Sequence, residues 1–169
     1  MKFVKLAIIS FVFLFLLLCG FSLFIPSQVQ ISKALQMNVH PDSLWFLVND
    51  FKSWKNWNTL FPGLSLENPE FTDTGMKTKD AIVEWESRQP GLQVALIKRG
   101  NQKPIRSGWK VLQDDSGDSI KVQWYIEIQL RWYPWEKFAG MLYEKSYGDK
   151  LMEGLMNLKS ILENNHSPG

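Results

Sequence analysis

Between Ser119 and Trp132 every second side chain is apolar. Ile120, Val122, Trp124, Ile126, Ile128, Leu130 and Trp132 take one side, and Lys121, Gln123, Tyr125, Glu127, Gln129 and Arg131 take the other. An unbroken period of two over this length is a strand with one dry face and one wet face. After Pro134 the period lengthens, and Phe138, Leu142, Leu151, Leu155, Leu158 and Leu162 recur at helical spacing. A long strand feeding a long C-terminal helix predicts a curved sheet folded against that helix. The rest of the chain has to supply the other strands.

At the other end of the chain, Lys2 and Lys5 precede an apolar run from Leu6 to Ile25, broken only by Ser10, Cys19, Gly20 and Ser22. At 1.5 Å per residue, about 20 residues span a hydrocarbon core of about 30 Å. A cleavable signal peptide has a shorter apolar core followed by small residues, whereas Phe21, Leu23 and Phe24 are bulky. The run therefore predicts an uncleaved signal-anchor helix over residues 1–26. Both lysines stand before it, so the positive-inside rule puts the N-terminus in the cytoplasm and the domain on the extracytoplasmic side of a single-pass membrane protein. Lipidation at Cys19 is the competing reading, and Leu18 argues against it because a lipoprotein signal wants a small residue there.

Residues 27–163 read as one domain and 164–169 as a disordered tail. Val29, Ile31, Leu35, Met37 and Val39 share one face of a first strand, interrupted by Lys33. On that apolar face Lys33 is either a residue snorkelling at an edge or a polar group inside a pocket. Pro41 and Asp42 open a short helix with Leu44, Trp45, Leu47 and Val48 as its stripe. Trp54 and Trp57 follow at a spacing that sets both on one side of a helical turn, which Phe61-Pro62-Gly63 ends. Strands are predicted over Lys79–Ser87, Leu92–Lys98 and Ile105–Leu112, with a weaker one over Leu64–Thr72, where Pro69 restricts it to an edge. Pro90-Gly91, Gly100-Asn101 and Asp114–Asp118 are hairpin turns by composition.

Composition removes several function classes. Acids and bases nearly balance at a net charge of +2, which is too little for a binder that depends on neutralising phosphates. A single cysteine and two histidines exclude an internal disulfide and argue against a Cys/His metal site. His40 stands at a helix start and His166 in the tail, so neither is placed to serve a nucleophile, and no glycine-rich phosphate loop occurs. Asp114, Asp115 and Asp118 lack calcium-loop spacing and read as a solvated hairpin. Lys98, Arg99, Lys103 and Arg106 form a basic patch around one turn, read as solvated rather than as a headgroup site. No cofactor is expected.

Three segments carry a resemblance. They are Val39-His40-Pro41-Asp42-Ser43-Leu44-Trp45 after the first strand, Trp54-Lys55-Asn56-Trp57-Asn58, and Gly154-Leu155-Met156-Asn157-Leu158-Lys159 near the end. In this order around this strand pattern, the chain resembles the START/Bet v 1-like (SRPBCC) superfamily, particularly its polyketide cyclase/dehydrase-like bacterial branch. The resemblance implies an α+β helix-grip fold, in which a curved antiparallel sheet of seven strands is wrapped around a long C-terminal helix with an apolar cavity between them. The chain itself shows five clear strand signals and one weak one, so a shortened sheet is also open. The transmembrane helix is an addition to the common soluble form.

Aromatic content is 14%, with eight Trp, and such rings must line a core, a cavity or an interface. Trp45, Trp85, Trp109, Trp124, Phe138, Met141, Met152 and Leu155 are the candidates for the space between sheet and helix. The first reading is a membrane-anchored binding domain for an apolar small molecule or lipid, acting as carrier or sensor. A second is a cyclase- or hydratase-like enzyme using Glu84, Glu86 or Tyr125, and a third is a closed-core interaction module of a membrane complex.

Overall fold

The structure, a computed structural model, describes residues 2–60, 69–113 and 119–164, without the side chain of Gln113. The apolar N-terminal run forms helix α1 (Lys2–Phe24), long and apolar enough to cross a membrane and largely unburied by the rest of the chain. It is followed by β1 (Gln28–Met37), α2 (Pro41–Asn49) and α3 (Trp54–Trp57). Next come β2 (Glu70–Thr72), β3 (Gly75–Lys77), β4 (Ile82–Gln89), β5 (Leu92–Lys98), β6 (Ile105–Gln113) and β7 (Ile120–Gln129). The chain closes with α4 (Pro134–Gly140) and α5 (Tyr143–Asn164).

The seven strands form one antiparallel sheet in the order β1-β7-β6-β5-β4-β3-β2. From β2 to β7 each strand pairs with its sequence neighbour. The first strand joins last, beside β7, from Gln28↔Gln129 to Met37↔Ile120. The period-two pattern places Ile120, Val122, Trp124 and Ile126 inward, all at 2% exposure or less, and the charged partners outward. A bulge between Trp85 and Ser87 bends β4 where it passes β5. The architecture is the α+β helix-grip arrangement, with the inner face of the sheet covered by α5.

The sheet has the seven strands that the resemblance implies, and against the residue pattern alone the structure differs in three places. The weak Leu64–Thr72 signal contributes Glu70–Thr72 as an edge, and Gly75–Lys77 adds a further strand. Strands of three residues carry too little periodicity to be read, and β3 is fixed by its register, Met76↔Val83, against β4. The long strand ends at Gln129, so Trp132 leaves the inner face and is exposed. The C-terminal helix comes in two pieces, and Phe138 and Leu142 stand outside the stripe that faces the sheet. Phe61-Pro62-Gly63, the Asp114–Asp118 turn and residues 165–169 with His166 lie outside the described residues.

The core is aromatic. Phe51, Trp54, Trp57, Trp85, Trp109 and Trp124 pack ring against ring with neighbouring centroids 4.8–6.1 Å apart, and Trp109 stacks on Trp124 at 5.7 Å. Leu151, Leu155, Leu158 and Leu162, one stripe of α5, close over this layer. The helix comes close because Gly154 faces Trp124, where a Cβ would fall within contact distance of the ring. One buried polar bond ties the layer together: Trp124 Nε1 donates to Ser107 Oγ at 2.9 Å, with Ser107 fully buried. Ser107→Ala should strand that indole N–H and cost about 1–3 kcal/mol, read as a lower melting temperature with the cleft described below unchanged.

Lys33 is settled by the topology. It lies on the inner face of β1, but β1 is an edge strand, so its chain passes over Gly148 and its ammonium reaches Glu144 at 2.7 Å. It snorkels out of the interior rather than charging it.

Candidate functional site

The gap between sheet and helix has two ends with different contents. At the α3 end it is filled. Trp54, Trp57, Trp109, Trp124 and Leu155 expose 0–1% of their surface, which leaves no face on them for a ligand. Trp85 and Trp45 are half-buried at the margin of this core, and Met152 is half-buried on α5. Phe138 and Met141 stand apart from it, at 40% and 66% exposure near the α4–α5 junction. The expected lining residues thus divide between a close-packed aromatic layer, its margin and an outer surface.

The opposite end holds a cleft of about 340 Å³. Ile105 and Ile128, cross-strand partners on the inner face, form its floor, and Tyr143 and Tyr147 of the first turns of α5 form its wall. The two phenol rings meet edge to face at 5.8 Å. Burial first, then the neighbouring Tyr147 and Glu136, hold the Tyr143 hydroxyl above its ordinary pKa. The rim is polar: Gln102, Lys103, Gln129, Arg131 and Glu136 surround the mouth. Lys103 donates to the carbonyl of Leu130 at 3.0 Å, and the backbone N–H of Arg131 donates to Glu136 Oε2 at 2.8 Å. An apolar floor, two phenols and a rim bearing two cations suit an apolar molecule with one polar or anionic end. Sequence reasoning missed this end. Tyr143 and Tyr147 stand four apart at the start of α5, and only the register that brings Ile105 opposite Ile128 shows what they face.

Behind the cleft, in the aromatic layer and at its margin, four buried side-chain atoms have no hydrogen-bond partner among the described residues: Asn58 Nδ2, Trp85 Nε1, Gln93 Oε1 and Trp109 Nε1. Folded proteins leave few such atoms, and each costs about 1–3 kcal/mol. Gln93 faces inward from β5 opposite Trp109. Gln93→Met keeps length and shape while removing the orphaned carbonyl, so it should raise the melting temperature by a few degrees.

The residues of the enzyme reading lie elsewhere. Glu84, Glu86 and Tyr125 project from the outer face of the sheet, away from the aromatic interior. Glu84 pairs with Lys98 at 2.7 Å; Glu86 pairs with Arg106 at 2.8 Å, and Arg106 also approaches Glu127 at 3.9 Å. The carboxylates beside Arg106 raise its pKa further, with the Glu86 hydrogen bond the largest cause. Tyr125 lies across Gly108, whose missing side chain leaves room for the ring, and burial followed by Glu127 and Glu86 raises its hydroxyl. This is a cross-strand ladder of ion pairs on a wet face. The basic patch is absorbed in the same way: Lys98 and Arg106 pair here, Arg99 donates to the Leu60 carbonyl at 3.1 Å, and Lys103 is held as above. His40 caps α2, its Nδ1 accepting from the backbone N–H of Asp42 at 3.3 Å. Among the described residues no group of His, Cys, Asp and Glu is arranged to hold a metal ion.

No protein-family model matches the sequence, and no curated protein matches it. Solved structures match by fold. A START superfamily protein from Mycobacterium smegmatis superposes with a TM-score of 0.59 at 14% identity, covering 80% of this chain and 97% of that one. A Thalictrum flavum norcoclaurine synthase point mutant in complex with a transition-state analogue gives a TM-score of 0.59 at 12% identity, covering 83% of this chain and 97% of that one. CalU16 from Micromonospora echinospora gives 0.54 at 11% identity, covering 83% and 86%. At these identities the likeness shows the fold.

Proposed function

We propose, from the premise that this chain carries a START/Bet v 1-like helix-grip domain, that it binds a small apolar molecule or lipid in the cleft between sheet and C-terminal helix, held at a membrane by α1. The observation that carries the reading is the cleft itself. Its volume lies at the small end of the range for ligand sites, and its floor is apolar while its rim bears Lys103 and Arg131. The neighbours in fold support it in kind, since one of them was solved with a small molecule bound. The role is that of a carrier or sensor. The enzyme reading has no support from position, because Glu84, Glu86 and Tyr125 face away from this site.

The anchor belongs to the same proposal. Residues 1–26 span the bilayer once, the N-terminus stays in the cytoplasm beside Lys2 and Lys5, and residues 27–163 stand on the extracytoplasmic side. A reporter fused after Glu163 should be active only outside the cytoplasm, and cytoplasmic activity would reverse the orientation.

Native mass spectrometry of the full chain, extracted gently in detergent from its own host, tests the binding. A retained apolar mass that is lost on solvent extraction is the expected result. Ile128→Phe, which fills the floor of the cleft with a side chain of related character, should lose that mass while melting within a few degrees of the parent. A clean mass for both proteins would refute the binding reading and turn attention to protein partners.

A further inference from the structure

α1 does not leave the domain on a loose tether. The ammonium of Lys137, 5% exposed, donates to the carbonyls of Ser22 at 2.9 Å and Ile25 at 2.8 Å, in the last turn of α1 and just past its end, and so shares the Ser22 acceptor with the backbone N–H of Ile25. Ser22, itself buried, has its hydroxyl 3.5 Å from the carbonyl of Trp132. The last turns of α1 are seated against the segment that enters α4, with Leu16, Cys19, Gly20 and Leu23 on one side and Trp132 and Pro134 on the other.

The outer surface of that segment is apolar and open. Trp132, Trp135, Phe138, Met141 and Leu142 are all exposed, Trp135 at 63%, and Trp132 shares a groove with Leu23 of α1, which is exposed as are Phe21 and Phe24. Residues 132–142 contain only two charged side chains, and both are turned to internal work. Lys137 holds α1, and Glu136 accepts the backbone N–H of Arg131. A surface of this composition is unusual on a domain bathed in water.

We infer that Trp132–Leu142 is an interfacial membrane element, which lies in the same leaflet that receives the C-terminal end of α1 and holds the domain flat on the bilayer. The inference rests on the membrane-spanning reading of α1 and deepens it. Continuity fixes the occupant. The groove that Trp132 shares with Leu16, Cys19, Gly20 and Leu23 covers the stretch from about 12 Å to about 1.5 Å before the end of α1, at 1.5 Å per residue. A helix that spans the bilayer therefore carries Trp132 below the level of its own end, into the zone about 5–10 Å deep where interfacial helices lie. Tryptophan is the residue favoured at that depth, with its ring in the apolar layer and its N–H toward the headgroups. Arg131, which precedes the segment, and Glu136 within it also belong to the rim of the cleft, so the mouth of the cleft opens at headgroup level. A ligand drawn from the leaflet would enter without crossing water.

The test uses the full chain with Cys19 replaced by Ser, reconstituted in vesicles of phosphatidylcholine and phosphatidylglycerol. A polarity-sensitive fluorophore is attached in turn at Trp135→Cys, Met141→Cys, Val12→Cys and Phe46→Cys. Phe46 is exposed on α2 and serves as the control away from the proposed face. Labels at positions 135 and 141 should be quenched several-fold by lipids spin-labelled near the headgroup and protected from iodide, while the label at 46 shows the reverse. The label at 12 should be quenched by lipids spin-labelled deep in the chain. Quenching at 12 with iodide access at 135 and 141 equal to that at 46 would overturn the interfacial element and leave the anchor standing. Iodide access at 12 would overturn both.

Discussion

Trp109→Ala should lower the melting temperature by roughly 12–20 °C, at about 3–5 kcal/mol for a large core aromatic and about 4 °C per kcal/mol for a domain of this size. The ring touches Trp54 at 5.1 Å, Trp57 and Trp85 at 6.1 Å and Trp124 at 5.7 Å, so its loss removes four aromatic contacts together with its own burial. The rings around it are held in place, since Trp54 Nε1 donates to the Val48 carbonyl at 2.7 Å and Trp124 Nε1 to Ser107, and the cavity left behind has little means to collapse. Set against a total stability of about 5–15 kcal/mol, this one truncation consumes a large share. Trp135→Ala is the control. The same chemical change on the exposed face of α4 should stay within about 0.5 kcal/mol in detergent. A Trp109→Ala protein that melts with the parent would mean that the aromatic layer does not carry the fold.

Much of this was legible in the sequence, for a physical reason. Side chains alternate across a strand, so the Ile120–Ile128 pattern shows which face of β7 is dry, and β1, β4 and β6 follow from the same rule, while β5 shows as a short apolar run between turns. The apolar N-terminal run and the leucine stripe of α5 were equally plain. What failed to show were features set by distant pairing. β3 has three residues and is defined by its partner. For Lys33 the pattern leaves snorkelling at an edge beside a polar group in a pocket, and the place of β1 at the sheet edge decides for snorkelling. Trp132 kept the period of the strand but lies beyond its end, because Pro134 and the contact with α1 redirect the chain.

The site was legible only in kind. Aromatic abundance announces an unusual interior, yet the spacing of Trp54 and Trp57, which complete the layer, shows a helical pair and not its centre. Sequence spacing cannot tell which rings fill a gap and which border it. The cleft depends on Ile105 meeting Ile128 and on α5 starting at Tyr143, after the break at Met141-Leu142. Phe138 and Met141 have the composition of lining residues, and the same break places them on the outside. Their exposure beside α1 then acquires a use in the membrane interface rather than in the cleft.

Gly154→Val should be nearly as damaging as the loss of Trp109, and its partner substitution Gly148→Ala should be harmless. A Cβ at 154 would meet the six-membered ring of Trp124 inside contact distance and Thr59 Oγ1 at 3.1 Å. Neither neighbour can give way: Trp124 is stacked on Trp109 and bonded to Ser107, and the Thr59 hydroxyl is bonded to the carbonyl of Lys150. Overpacking of this kind costs about 1–3 kcal/mol for a modest excess of volume, and the branched methyls of valine take it to the top of that range or past it. The helix gains only a few tenths of a kcal/mol from replacing glycine with valine. At 148 the nearest atom is Lys33 Cε at 3.0 Å, the far end of a flexible chain that can swing, and alanine there recovers up to about 1 kcal/mol of helix propensity. Thermal melts of the two variants should therefore move in opposite directions, Gly154→Val down by roughly 10 °C or more and Gly148→Ala level or upward. The first variant also reaches the site, since a helix pushed off the sheet at Trp124 shifts Tyr143 and Tyr147 with it, and any retained ligand should be lost before the protein unfolds. Equal melting temperatures for Gly154→Val and the parent would show that α5 does not seat on Trp124, and the position of the cleft wall would fall with it.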